Sequence, residues 1–208
     1  MSLITIILLV IVAGFSAIIH EIAHGYMAFK LGDNTAKLAG RLTLNPLKHI
    51  DLISTIILPA VLILFHIPPL ILFKPVPISI QNLNNPRSDA RLVALAGPLS
   101  NFLLILLVAL IFRTFFKNTH SNIILTTGYF FVIINLVLGT FNLIPLPPLD
   151  GSWILSSFLP YKGLKIFNQI KTYLIILFLF LIFSGLFQYI WTPTIEFLYT
   201  IAKFILFK

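Results

Sequence analysis

The sequence predicts an all-α polytopic membrane protein: a bundle of about five to six hydrophobic segments, with a re-entrant second segment and a short surface β-hairpin after the first helix. Three observations predict it. Of 208 residues, 59% are hydrophobic and only 10% charged, where a soluble domain carries about 25% charged residues. The apolar residues come in runs close to the about 20 residues that a helix needs to cross a bilayer. One run is interrupted by prolines, which end or kink helices.

The first run is Leu3–Phe29. It lacks a basic leading region, and it stays apolar past any cleavage site. It is therefore expected to be kept as a helix and not removed as a signal peptide. The stretch "LGDNTAKLAGRLTLNPLKHID" is polar and turn-rich. Leu38, Leu42 and Leu44 share one parity, and Asn45-Pro46 closes the run, which suits a short strand or hairpin at the membrane surface. An irregular loop fits the same periodicity equally well. The second apolar run, Leu52–Phe73, holds Pro59 in its middle and Pro68-Pro69 further on. A helix–turn–helix that enters and leaves by one face fits better than a crossing. Leu92–Phe116 and Ile123–Leu143 are ordinary crossings, and Tyr173–Ile190 is a fifth. Ile195–Phe207 follows Pro193 and is short for a crossing, so an interfacial position is expected. One membrane domain spans 1–208, its core at about 3–160 and its C-terminal helices at about 170–208.

A net charge of +8 can point to nucleic acid. In so apolar a chain, with mean hydropathy +1.04, basic loops on the cytoplasmic side of a cell membrane explain it better. The expected surroundings are a lipid bilayer, with no nucleic-acid partner. There is no cysteine, so any metal must take His, Asp or Glu ligands.

His20, Glu21 and His24 form His-Glu-x-x-His within the first run. A buried charge there costs about 2.5 kcal/mol or more even on mild insertion scales, so chance placement is a poor explanation. Residues four apart share a helix face, and both imidazoles can reach one ion. Glu21 lies about 100° round the helix, beside the ion, where it can take a proton from water whose pKa Zn²⁺ lowers to about 7. A catalytic zinc usually has three protein ligands. Among the six acids, Asp33 follows closely on the first helix in a Gly-Asp-Asn turn, Asp51 and Asp89 look like loop charges, and Glu196 is in the tail. Asp150 lies in "FNLIPLPPLDGSWIL", where Pro145, Pro147 and Pro148 prevent regular helix. Irregular backbone at membrane depth is tolerated only where it is buried or lines a wet cavity. Asp-Gly is by itself an ordinary turn pair. Beside an incomplete zinc site, Asp150 becomes the best third ligand. Gly97-Pro98 reads as helix packing, Asn101 and Asn135 as interhelical hydrogen bonding, His66 as turn-associated, and His49 and His120 as interfacial.

The motifs "HEIAHG" and "NLIPLPPLDG", with "GRLTLNPLKHID", "KPVPISIQNLNNPRSD" and "LVALAGPLSNF", resemble the site-2 protease family of intramembrane zinc metallopeptidases. The likeness is to a small prokaryotic branch without PDZ or CBS domains, and it covers roughly residues 10 to 160. It implies one Zn²⁺ per chain on His20, His24 and Asp150, with Glu21 as the catalytic acid/base. It also implies a role for Asn142 near substrate or oxyanion; an asparagine at that place is equally a common helix cap. The substrates implied are transmembrane or membrane-anchored proteins. "ILFKPVP" lacks the Gly-Trp usual in that branch and "HIDLIST" its Pro-Leu-Gly, which affects loop shape away from the metal.

The alternative reading is a non-catalytic membrane protein that binds or transports divalent metal on the same ligands. Transport needs ligands only, whereas a carboxylate beside the ion serves hydrolysis. For His20, His24 and Asp150 to meet, the first and fourth runs must be parallel. With the N-terminus outside, ten of the fourteen basic residues then face the cytoplasm.

Overall fold

The computed structural model describes residues 2–57, 61, 64, 73–116 and 119–207, and the regular elements among them are all helical. Helix α1 is Leu3–Lys30; the Ser2 hydroxyl caps it by accepting from the Thr5 amide. Lys30 in its last turn suits the negative end of the helix dipole. One helical turn, Thr35–Leu38, follows and stops at Gly40, whose φ of 62° lies in the left-handed region.

No strand occurs among the described residues, so the expected surface hairpin is replaced by an irregular loop. The reason lies in where the backbone groups go. The Arg41 amide closes the preceding turn on the Ala36 carbonyl, and the Thr43 carbonyl accepts from the His49 ring. The shared parity of the leucines does not sort them onto a buried face, since Leu38 and Leu44 are both exposed.

The chain then makes a π-helical turn at Leu52–Ile57. The re-entrant bend expected round Pro59, Pro68 and Pro69 lies outside the described residues. The two ends of this stretch are nonetheless tied, because the Lys74 amide donates to the His49 carbonyl at 2.8 Å. Likewise the Asn84 amide donates to the Leu31 carbonyl at 2.8 Å, at the end of α1.

Helix α2 is Pro86–Phe115, with proline in its first turn and Pro98 inside it. Helix α3 is Asn122–Asn142, α4 is the short Asp150–Phe158, α5 is Tyr161–Phe183 and α6 is Leu186–Phe207. The last two helices differ from the expected Tyr173–Ile190 and Ile195–Phe207. The chain breaks at Ser184 and at Gly185, with φ 75°, and Pro193 sits within α6. The last helix thus runs for 22 residues. Its Leu198 and Ala202 are buried with Ile105, Val132 and Leu136, so it packs into the bundle. Helices α1, α2, α3 and α5 are long and apolar enough to cross a membrane.

Contacts fix the register. Along α1, Ser16, His20 and His24 meet Asn135 on α3, then Asn101 and Val93 on α2. Phe112 of α2 fills the space left by Gly128 of α3, and Phe102 that left by Gly139. Rising numbers on α1 meet falling numbers on α2, and α2 meets α3 in the same inverse order. So α1 and α3 are parallel, with α2 antiparallel to both.

Candidate metal centre

The His20 and His24 rings project from one face of α1, as their spacing requires, and both residues are buried. Asp150 opens α4 directly after the proline-rich turn, and its carboxylate reaches across to them. His20 Nε2 lies 3.1 Å and His24 Nε2 3.2 Å from Asp150 Oδ2, and the two Nε2 atoms are 3.0 Å apart. These three side chains form a group able to hold a metal ion.

The outer nitrogens decide what the inner ones can do. His24 Nδ1 is 2.7 Å from the Val93 carbonyl oxygen, which can only accept, so Nδ1 carries the hydrogen. His20 Nδ1 is 2.6 Å from Asn101 Oδ1 and donates in the same way. Both Nε2 atoms of the neutral rings then turn a lone pair inward, toward an ionised carboxylate that has only acceptors. Three acceptor atoms about 3 Å apart repel one another unless a cation stands among them. Ligands about 2.0–2.2 Å from a tetrahedral ion stand about 3.3–3.5 Å apart, so adjustments of a few tenths of an ångström admit zinc. The residues fit the group.

Gly97 of α2 faces this centre. A Cβ there would lie 2.3 Å from His24 Nε2 and 2.6 Å from His20 Nε2. Sequence reasoning assigned Gly97-Pro98 to helix packing alone; the helix it packs against is the one that carries the two histidines. Gly151 is also more than half of a turn pair. A Cβ there would meet the Leu143 and Ile144 carbonyl oxygens at 2.3 and 2.4 Å. The missing side chain lets the start of α4 tuck against the preceding backbone and set Asp150 toward the histidines.

Glu21 lines the same cavity of about 490 Å³ as His20, His24 and Asp150. Its Oε2 accepts from the Val76 amide at 2.8 Å. Val76 belongs to an irregular strap, "KPVPIS", that is pinned on both sides. Arg41 Nη2, on a largely buried side chain, donates to the Lys74 carbonyl at 2.6 Å and to that of Pro75 at 3.4 Å. Asp33 accepts from the Ser79 amide at 2.7 Å, from the Thr35 amide and hydroxyl, and from Asn82 Nδ2. Burial pushes the Asp33 carboxyl up, but those donors, Thr35 foremost, outweigh it and hold the group below its usual value of 3.8. Asp89, expected as a solvated loop charge, is buried and accepts from the Asn85 amide, and His49 is fully buried. The only sequence hint of the strap is its Pro-Val-Pro, which forbids regular helix.

Asn142 ends α3 and also lines the cavity; its Nδ2 donates to the Leu138 carbonyl at 3.0 Å. Asn101 and Asn135 do bond between helices, as expected, but their chain ends on His20. His66 lies outside the described residues.

Comparison with known proteins bears on this centre from two directions. Residues 111–185, which include Asp150 but neither histidine, match peptidase family M50. YwhC of Bacillus subtilis, provisionally named a zinc metalloprotease, is 35% identical over 202 residues, covering 94% of this chain and 88% of that protein. Rip2 of Mycolicibacterium smegmatis, named in the same way, is 29% identical over 148 residues, 70% of this chain and 55% of its own. The zinc metalloprotease MJ0392 of Methanocaldococcus jannaschii is 26% identical over 147 residues, 71% of this chain and 33% of its own. No solved structure matches the chain.

Proposed function

Because this chain belongs to peptidase family M50, the site-2 protease family, and is a zinc metalloprotease, we propose that it hydrolyses peptide bonds of transmembrane or membrane-anchored substrates at the His20–His24–Asp150 centre. The observation that carries the reading is the convergence of three acceptor atoms within 3.2 Å beside a glutamate-lined cavity. His20, His24 and Asp150 would hold one Zn²⁺, which when bound would supply Lewis acidity for a scissile carbonyl and a water whose pKa it could lower to about 7.

The protein's own groups do the rest. Glu21 takes the proton of the attacking water and returns it to the leaving amine. The Val76 amide fixes one of its oxygens; the other has no partner among the described residues. Asn142 gives one amide hydrogen to Leu138 and keeps the second for the substrate carbonyl or the oxyanion. The chain is a multi-pass protein of the cell membrane, with its N-terminus outside and the centre below the cytoplasmic surface. The ties from His49 to Lys74 and from Leu31 to Asn84 support one side for both loops, because each returns the chain to the end of the bundle where α1 finishes, and the excess of basic residues expected on that side supports its being the cytoplasmic one.

Cleavage of a single-span substrate by the purified protein tests the proposal. Wild type should cut and Glu21→Gln should be slower by a factor on the order of 10² or more, with zinc retained. Equal rates would remove Glu21 from the chemistry.

A further inference from the structure

A chain of buried amides runs away from the metal centre. His20 Nδ1 meets Asn101 Oδ1 at 2.6 Å, Asn101 Nδ2 meets Asn135 Oδ1 at 2.8 Å, and Asn135 Nδ2 meets Ser16 Oγ and the Phe131 carbonyl oxygen, each at 2.8 Å. Ser16, Asn101 and Asn135 are all at 0% exposure. No water competes for these groups, so each must satisfy the next.

The direction of the chain follows from its far end. The Phe131 carbonyl only accepts, so the Asn135 amide nitrogen faces it. The Asn135 oxygen therefore faces Asn101, which must offer its own nitrogen. The Asn101 oxygen is then left for His20, which must offer Nδ1–H. Reversing any one amide sets two donors or two acceptors against each other, at a cost of about 1–3 kcal/mol for a buried group.

We infer that Asn101 and Asn135 are positioning residues: a polarised amide relay, anchored on the backbone carbonyl of Phe131, that holds His20 in the Nδ1–H tautomer with its Nε2 lone pair toward the metal centre. His24 needs no relay, since Val93 offers it a backbone carbonyl directly. The relay is required because α2 presents the Asn101 side chain, not a carbonyl, at the position facing His20. Asn101 alone is insufficient, because a free carboxamide can present either end. Asn135 removes that choice.

The inference rests on His20 being a zinc ligand only where metal binding is the readout; the tautomer can be read without metal. In zinc-free full-length protein with ¹⁵N-labelled imidazoles, above the imidazole titration range, His20 should give a protonated Nδ1 and an unprotonated Nε2. Asn101→Leu should lose that signature and weaken zinc binding about 10- to 100-fold in chelator competition, the usual effect of removing a histidine's outer partner. Asn101→Gln keeps an amide oxygen for His20 and an amide nitrogen for Asn135 and should recover part of the tautomer signature and of the affinity. Asn135→Leu leaves Asn101 free to turn and should move His20 toward the other tautomer. A wild-type tautomer ratio in Asn135→Leu overturns the relay. So does an Asn101→Gln variant with no more of the tautomer signature than Asn101→Leu, since helix packing would then explain both. His20→Ala separates the two claims: undiminished zinc binding there would defeat the ligand assignment, whatever the tautomer data show.

Discussion

Adding one methyl group at Gly97 is the sharpest perturbation of the centre. The new Cβ would lie 2.3 Å from His24 Nε2, 2.5 Å from His24 Cε1 and 2.6 Å from His20 Nε2. Reaching even a 3.0 Å contact requires about 0.7 Å of movement. Metal–ligand bonds hold to about ±0.2 Å of their preferred lengths, so a shift of that size removes a nitrogen from the coordination sphere. Helix α2 cannot easily retreat instead. Val93 and Asn101, one turn to either side of Gly97, are bonded to the outer nitrogens of the same two rings. Gly97→Ala should therefore weaken zinc binding at least 100-fold, which is about 2.7 kcal/mol. The helix itself should not suffer, since alanine is favoured over glycine in a helix interior by about 1 kcal/mol. Zinc content after purification and competition with a chelator measure the loss. The visible spectrum of the cobalt-substituted protein reports the ligand geometry. An alanine variant that binds zinc as tightly as wild type would refute the placement of α2 against the histidines.

Three other outcomes are expected. Arg41→Ala frees the strap that carries Val76; turnover should fall about tenfold or more while zinc binding holds, and unchanged turnover would mean the strap does not position Glu21. Asp33 has a folded-state pKa below its unfolded 3.8, so its stabilisation is full above that value and lost as pH falls through the lower folded-state value. Thermal unfolding in detergent should therefore show Asp33→Asn weaker than wild type at neutral pH, with the gap closing below about pH 4; a gap independent of pH would mean the charge is not what Asn82, Ser79 and Thr35 hold. In the cysteine-free chain, single cysteines at Asn34 and Asn84 should resist an impermeant thiol reagent in intact cells, whereas one at Ser121 should react. Labelling of Asn84 but not Asn34 would overturn the shared side implied by the Leu31–Asn84 bond.

What the sequence by itself determined is local or periodic. Long apolar runs set the membrane and the helices, because a bilayer offers the backbone no other partner. The four-residue spacing of His20 and His24 put both rings on one face, because helical geometry alone places them there. Asp150 stood out as a candidate, an acid in a proline-broken stretch, and the structure brings its carboxylate beside both imidazoles. Where the reading failed, local pattern competed with distant partners. The leucine alternation at 38–44 suggested strand, but Ala36 and His49 took the backbone groups that a ladder needs. Pro193 looked like a boundary, but burial of Leu198 and Ala202 carried the last helix through it.

Only the tertiary structure decided which groups surround the candidate ligands. His24 finds its carbonyl 69 residues away, His20 its amide 81 residues away, and Glu21 its backbone donor 55 residues away. No helical or strand period relates such positions. A glycine that spares a metal site and one that merely spares a neighbouring helix look alike along the chain. They differ only once α2 is laid across α1, because contact at that distance is set by how the helices pack and not by the order of residues within either one.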